Sequence, residues 1–167
     1  MIEYTTIISA VAAITSLVSL YFTRRFWLLT HRPIVTAEIV ENTSGVGIVV
    51  FDLVVYNSGN RPAVNIKLCA ESKDIEKIFS EKASRSDKEF IHEVFSASNK
   101  IALLLNGKEP NTAFGAYSEN RCNGDILKYQ AELPIQIYYQ DIDGRKYCEN
   151  IVLYTRPAEG FGGAVNQ

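Results

Sequence analysis

From Tyr4 to Phe22 the chain carries no charge, no proline and no glycine, and it then meets Arg24 and Arg25. No other feature constrains the fold as strongly. These 19 residues match the roughly 20 that a helix needs to cross a ~30 Å hydrocarbon core. Its serines and threonines can bond back to carbonyls one turn earlier, so they do not spoil an apolar span. Charged and apolar faces do not alternate, so this is not an ordinary amphipathic surface helix. A buried core helix and a cleaved signal peptide are the alternatives. Against the signal peptide, the N-terminus reads Met-Ile-Glu rather than basic, and the arginines follow the apolar run instead of preceding it.

Arg24, Arg25 and Arg32 all flank the C-terminal end of the run. Basic flanks stay in the cytoplasm. The expected topology is a single pass of the inner (cytoplasmic) membrane, N-terminus out, with the rest of the chain cytoplasmic. The span is expected to end near Phe22. Phe26, Trp27, Leu28 and Leu29 then form a juxtamembrane turn or two at headgroup level, ended by Pro33. Arg24, Arg25 and Trp27 are the candidate membrane anchors, the arginines snorkelling to phosphates and the indole suiting the interface. Ser9, Ala12, Ala13, Ser16 and Ser19 recur at intervals of three or four. Such a small-residue stripe lets helices approach closely and predicts self-association in the membrane.

Residues 33–156 read differently. Runs such as Ile34–Glu41, Gly47–Asn57, Ala63–Glu71 and Ala131–Asp141 are β-branched or alternate with period two. Val49, Phe51, Leu53 and Val55 share one face, as do Val64, Ile66 and Leu68, and Ile135, Ile137 and Tyr139. Asp143-Gly144 signals a type I′ hairpin, and Lys100–Glu119 suggests another hairpin turning near Asn106-Gly107 or Glu109-Pro110. The prediction is an all-β domain, a sandwich with a small β-barrel as the alternative. One stretch, 72–100, breaks the pattern. Phe90, Ile91, Val94 and Phe95 have helical spacing, Ser86 or Asp87 can cap that helix, and Ile75, Ile78 and Phe79 suggest a shorter helical turn before it. This helical insertion can be a lid over one end of the core or a partner-contacting element. Residues 157–167 are glycine-rich and expected to form a flexible tail.

The segment Val54–Leu68, VVYNSGNRPAVNIKL, carries Asn57, Gly59, Pro62, Ala63, Val64 and Ile66. It resembles a strand–turn–strand pattern of Ig-like and fibronectin-type sandwich domains. The resemblance implies an Ig-like β-sandwich and no particular activity. The whole chain is similar to small, uncharacterised bacterial proteins in which one N-terminal span carries such a domain.

Few function classes survive the residue inventory. The 135 residues after Arg32 carry 14 basic and 18 acidic side chains; this acidic balance argues against a nucleic-acid partner. No Walker, GxGxxG, GxSxG or HExxH motif occurs. His31 falls beside the membrane and His92 on the polar side of the insertion. Asp141 and Asp143 suit a turn rather than a calcium loop, and the Asn42-Thr43-Ser44 sequon is silent in a cytoplasmic domain. Cys69, Cys122 and Cys148 form no metal-binding pair and are expected to be free thiols. No enzymatic activity, cofactor or metal is expected.

The expected function is that of a membrane-tethered interaction module that self-assembles or docks a protein partner. Its specific form is an oligomerising effector or accessory subunit of a bacterial stress or antiviral system. Phe90, Ile91, Phe95, Tyr138 and Tyr154 are the candidate partner-binding residues, because exposed aromatic patches mark binding surfaces. The alternative is a sensor of a small ligand, such as a signal nucleotide, held in a pocket inside a barrel-like domain.

Overall fold

The computed structural model describes residues 2–45, 48–96, 98–118, 126–128 and 130–155. The tail expected at 157–167 and the third thiol, Cys122, lie outside the described residues. The chain divides into two compact units, with the boundary between Arg32 and Pro33.

The first unit is one helix, α1 (Ile2–Thr30, 29 residues), long and apolar enough to cross a membrane. None of its most apolar stretch is buried, so it is not a core helix of this chain. The helix itself extends past Phe22, where the uncharged run ends. The helix runs unbroken through Arg24 and Arg25, and Phe26–Leu29 are part of it rather than a separate turn. Nothing between Phe22 and Thr30 breaks the ladder, and the His31 amide still donates to the Trp27 carbonyl at 3.0 Å. At 1.5 Å per residue the helix is roughly 43 Å long, comparable to the ~40–45 Å of a bilayer with its headgroups.

The second unit has seven strands: β1 (Val35–Gly45), β2 (Ile48–Asn57), β3 (Ala63–Ala70), β4 (Ile101–Leu104), β5 (Asn111–Ser118), β6 (Glu132–Asp141) and β7 (Lys146–Tyr154). They form two antiparallel sheets, ordered β1-β2-β5 and β4-β3-β6-β7. Among the described residues no strand of one sheet pairs with a strand of the other, so the barrel alternative is not formed. The inner faces share one core. β2 supplies Phe51, Leu53 and Val55, and β6 supplies Leu133, Ile135, Ile137 and Tyr139. Where β5 bulges opposite Phe51, a Cβ on Gly115 would stand 2.7 Å from the Leu127 side chain, which would have to shift to admit it.

Three expectations need correction. First, Val64 does not face the core; Ala63 does, fully buried. Asn65 adopts φ +54°, and a β-bulge between Val64 and Lys67 resets the alternation. Second, β4 and β5 are not a hairpin: β4 edges one sheet and β5 the other. The chain crosses between layers through Gly107 (φ +70°), whose amide donates to the Asn57 carbonyl at 3.5 Å. Third, the β6–β7 hairpin forms but is not type I′, which needs positive φ at two central residues. Only Gly144 has it (φ +80°), and the Gly144 amide donates to the Asp141 carbonyl.

The insertion holds two helices, α2 (Ser72–Ile78) and α3 (Arg85–Val94). The cap of α3 is Ser84, two residues before the expected position. Its hydroxyl accepts from the Asp87 amide while the Asp87 carboxylate accepts from the Ser84 amide, a complete capping box. The apolar sides of both helices, Ile75, Ile78, Ile91 and Val94, join the single core.

Candidate functional site

A broad concave feature lies on the outer face of the four-stranded sheet. Alternation along its strands points Lys67 and Cys69 of β3, Gln136, Tyr138 and Gln140 of β6, and Lys146 and Cys148 of β7 away from the core. The register sets their neighbours: Lys67 pairs with Tyr138, Tyr138 with Cys148, and Gln140 with Lys146. The β3–β4 pairing of Ile66 with Ile101 brings Lys100, the residue before β4, opposite Lys67. The bulge at Asn65 hollows this face. The result is a groove of about 590 Å3 whose lining includes Asn65, Lys67, Lys100, Tyr138, Gln140 and Lys146, and no carboxylate.

The polar groups of the groove are loosely tied. The Tyr138 hydroxyl donates to Gln136 Oε1 at 2.7 Å, and Asn65 Nδ2 reaches Gln140 Oε1 only at 3.4 Å. The neighbouring Cys148 sulfur, with burial adding to it, raises the Tyr138 hydroxyl above its ordinary pKa. Cys69 is half-buried, Cys148 is exposed, and both are free thiols.

One end of the domain is braced by buried polar residues. Asp141 Oδ1 accepts from the amides of Asp143 and Arg145, and its Oδ2 accepts from the Tyr147 hydroxyl. Arg61 bridges to Asp143 at 2.7 Å, joining the β2–β3 turn to the β6–β7 turn and holding the Asp143 carboxyl below its usual range. These carboxylates are committed to turns. A second, smaller hollow of about 200 Å3 opens between the layers, walled by Leu53, Val55, Ile66 and Leu68, with Asn99, Lys100 and Asn111 also lining it.

The residues singled out from sequence fare unequally. Ile91 (1% exposed) and Phe95 (6%) are core residues, and Phe95 packs edge-on against Phe114 at 6.0 Å. Neither is available to a partner; their helical spacing recorded burial. Phe90 is exposed, at a shallow hollow with Glu93, Ser98 and Thr112. Tyr138 and Tyr154 both lie exposed on the outer sheet face, whereas Tyr139 and Tyr147 stack at 5.3 Å on the inner side. His92 pairs with Glu76 at 3.2 Å beside Lys88, tying α3 to α2.

On α1, Arg24 and Arg25 are exposed, and Trp27 stacks on His31 at 4.9 Å. Ser9, Ala12, Ala13, Ser16 and Ser19 fall within about a third of the helix circumference at 100° per residue. The hydroxyls of Ser9 and Ser16 donate to the Thr5 and Ala12 carbonyls, so the stripe offers close approach more than free donors. Sequence reasoning did not single out Lys67, Lys100 or Lys146. Their convergence needs strand register, which single-sequence periodicity does not carry.

Among known proteins, a family model described as a domain of unknown function (DUF8453) matches residues 2–159, spanning both units. No curated protein and no solved structure matches the chain.

Proposed function

The chain belongs to the DUF8453 family, and we propose that it is a single-span membrane protein whose β domain is a non-enzymatic binding module. The observation that carries this reading is the outer face of the four-stranded sheet. It presents two half-exposed tyrosines, Tyr138 and Tyr154, and three lysines without a carboxylate in their groove. Exposed tyrosine and unpaired cation are groups that a partner desolvates with gain. The strand order β1-β2-β5 over β4-β3-β6-β7 supports an Ig-like, fibronectin-type sandwich as the finer description of the fold.

The arginine bias supports an inner-membrane protein with the domain in the cytoplasm. The small-residue face of α1 supports self-association, and with one compact domain it fits an oligomerising effector or accessory subunit of a bacterial stress or antiviral system. A ligand inside the core is the less favoured reading, because the interlayer hollow, at about 200 Å3, is smaller than the ~300–1,000 Å3 usual for ligand pockets.

A photo-crosslinking residue placed at Tyr154 in the membrane-bound protein tests the module. One discrete heavier product is expected, of twice the chain's mass if the partner is another copy. The same residue at Lys73, ion-paired on α2, is the control. Absence of a product at both Tyr154 and Phe90 overturns the reading. For orientation, an impermeant thiol reagent is expected to leave Cys148 unlabelled in intact cells and to label it after permeabilisation.

A further inference from the structure

Resting on the binding-module reading, we propose that the groove on the outer face of the four-stranded sheet takes a small phosphate-bearing ligand. Its phosphates are held by Lys67, Lys100 and Lys146, and its organic part lies against Tyr138.

Charge placement carries the inference. Like charges close together on a sheet destabilise it, yet Lys67 of β3, Lys100 just before β4 and Lys146 of β7 line one groove. Three other lysines of the domain are ion-paired: Lys73 with Glu71, Lys77 with Asp74 and Lys88 with Glu76. None of the three groove lysines has an ion pair among the described residues. In a domain with net charge −4, this is a local inversion of sign with no internal anion to balance it. Lysine ammoniums are point-charge binders of phosphate.

The remaining lining fits the organic part of such a ligand. Tyr138 is 43% exposed and offers a ring face for stacking. The Asn65 and Gln140 amides donate and accept, and their 3.4 Å contact is weak enough to exchange for a ligand. Asn65 is held at φ +54° by the bulge that shapes the groove, a conformation that is uncommon outside glycine. The volume of about 590 Å3 lies within the range of small-molecule sites. A soluble nucleotide and an anionic lipid headgroup share this chemistry.

The test uses the full chain in nanodiscs of neutral lipid and follows alkylation of Cys69, which lines the groove, by peptide mass spectrometry. Adenosine triphosphate or pyrophosphate is expected to slow alkylation about tenfold at saturation, and sulfate at matched ionic strength is not. If the natural source is lipid, nanodiscs containing phosphatidylglycerol give the slowing and the soluble phosphates do not. In either arm Lys67→Gln and Lys146→Gln each weaken binding about tenfold, the ~1.4 kcal/mol of one charge-assisted contact, while Lys67→Arg retains it. Thermal melting confirms folding, and Lys67→Gln is expected to melt no lower than the parent because it relieves repulsion. No slowing in any arm, equal slowing by sulfate, or slowing unchanged in the lysine variants overturns the proposal. A crosslink at Tyr154 without any phosphate effect would remove this ligand and leave the binding module standing.

Discussion

Asn57 shows how much one side chain can organise. It ends β2, is 2% exposed, and uses its whole amide. Its Oδ1 accepts from the Ile34 and Gly59 amides, and its Nδ2 donates to the Arg61 and Leu104 carbonyls. The entry to β1, the β2–β3 turn and the end of β4 therefore meet on one group. Asn57→Ala orphans buried backbone partners, so a loss of about 2–4 kcal/mol is expected from the ~1–3 kcal/mol per unsatisfied group. Chemical denaturation of the solubilised protein measures it; a loss below ~1 kcal/mol would mean that water replaces the amide. The sequence marks Asn57 as a turn residue. That it bonds to both sheets is invisible there, because Ile34 and Leu104 lie 23 and 47 positions away.

At the scale of the element, α3 and the β4–β5 crossing show where local reading succeeds and fails. Helical spacing correctly announced α3. Its start was misplaced because two sites, Ser84 and Ser86, each precede an acidic residue by three positions. The structure chooses Ser84, whose box with Asp87 is closed from both sides. Ser84→Ala is expected to cost about 1 kcal/mol, read as a lower melting temperature, while Ser86→Ala has a smaller effect. Equal effects would mean that Ser86 shares the cap, since the two hydroxyls lie 2.8 Å apart. The turn between β4 and β5 has hairpin chemistry, Asn106-Gly107, but local chemistry specifies a reversal and not which sheet the chain joins next. In α1 the helix continues through Arg24 and Arg25, because a pair of charged side chains does not break the backbone ladder.

For the molecule as a whole, two exposed ion-pair groups couple stability to acid. Lys88 and His92 hold the Glu76 carboxyl below its ordinary value of 4.5, and Arg61 holds Asp143 below 3.8. Both are depressed in the folded state, so their stabilisation is complete above about pH 4.5 and is lost as pH falls through these ordinary values toward the folded ones. The melting temperature is expected to drop between pH 5 and pH 3, with a shallower drop in Glu76→Gln and Asp143→Asn. An unchanged slope in both variants would assign the acid response to other carboxylates.

The sequence by itself determined the apolar helix, the β class of the rest, the helical insertion and the outward pair Tyr138 and Tyr154. Each follows from charge absence or from periods of 3.6 and 2, which are properties of neighbouring residues. Tertiary structure alone decided that Ile91 and Phe95 belong to the core, that β4 and β5 part to different sheets, and that Lys67, Lys100 and Lys146 share one groove. Those outcomes depend on register between strands far apart in the chain, and on a bulge at Asn65 that shifts the alternation of β3. Periodicity in one segment cannot encode which segment lies beside it.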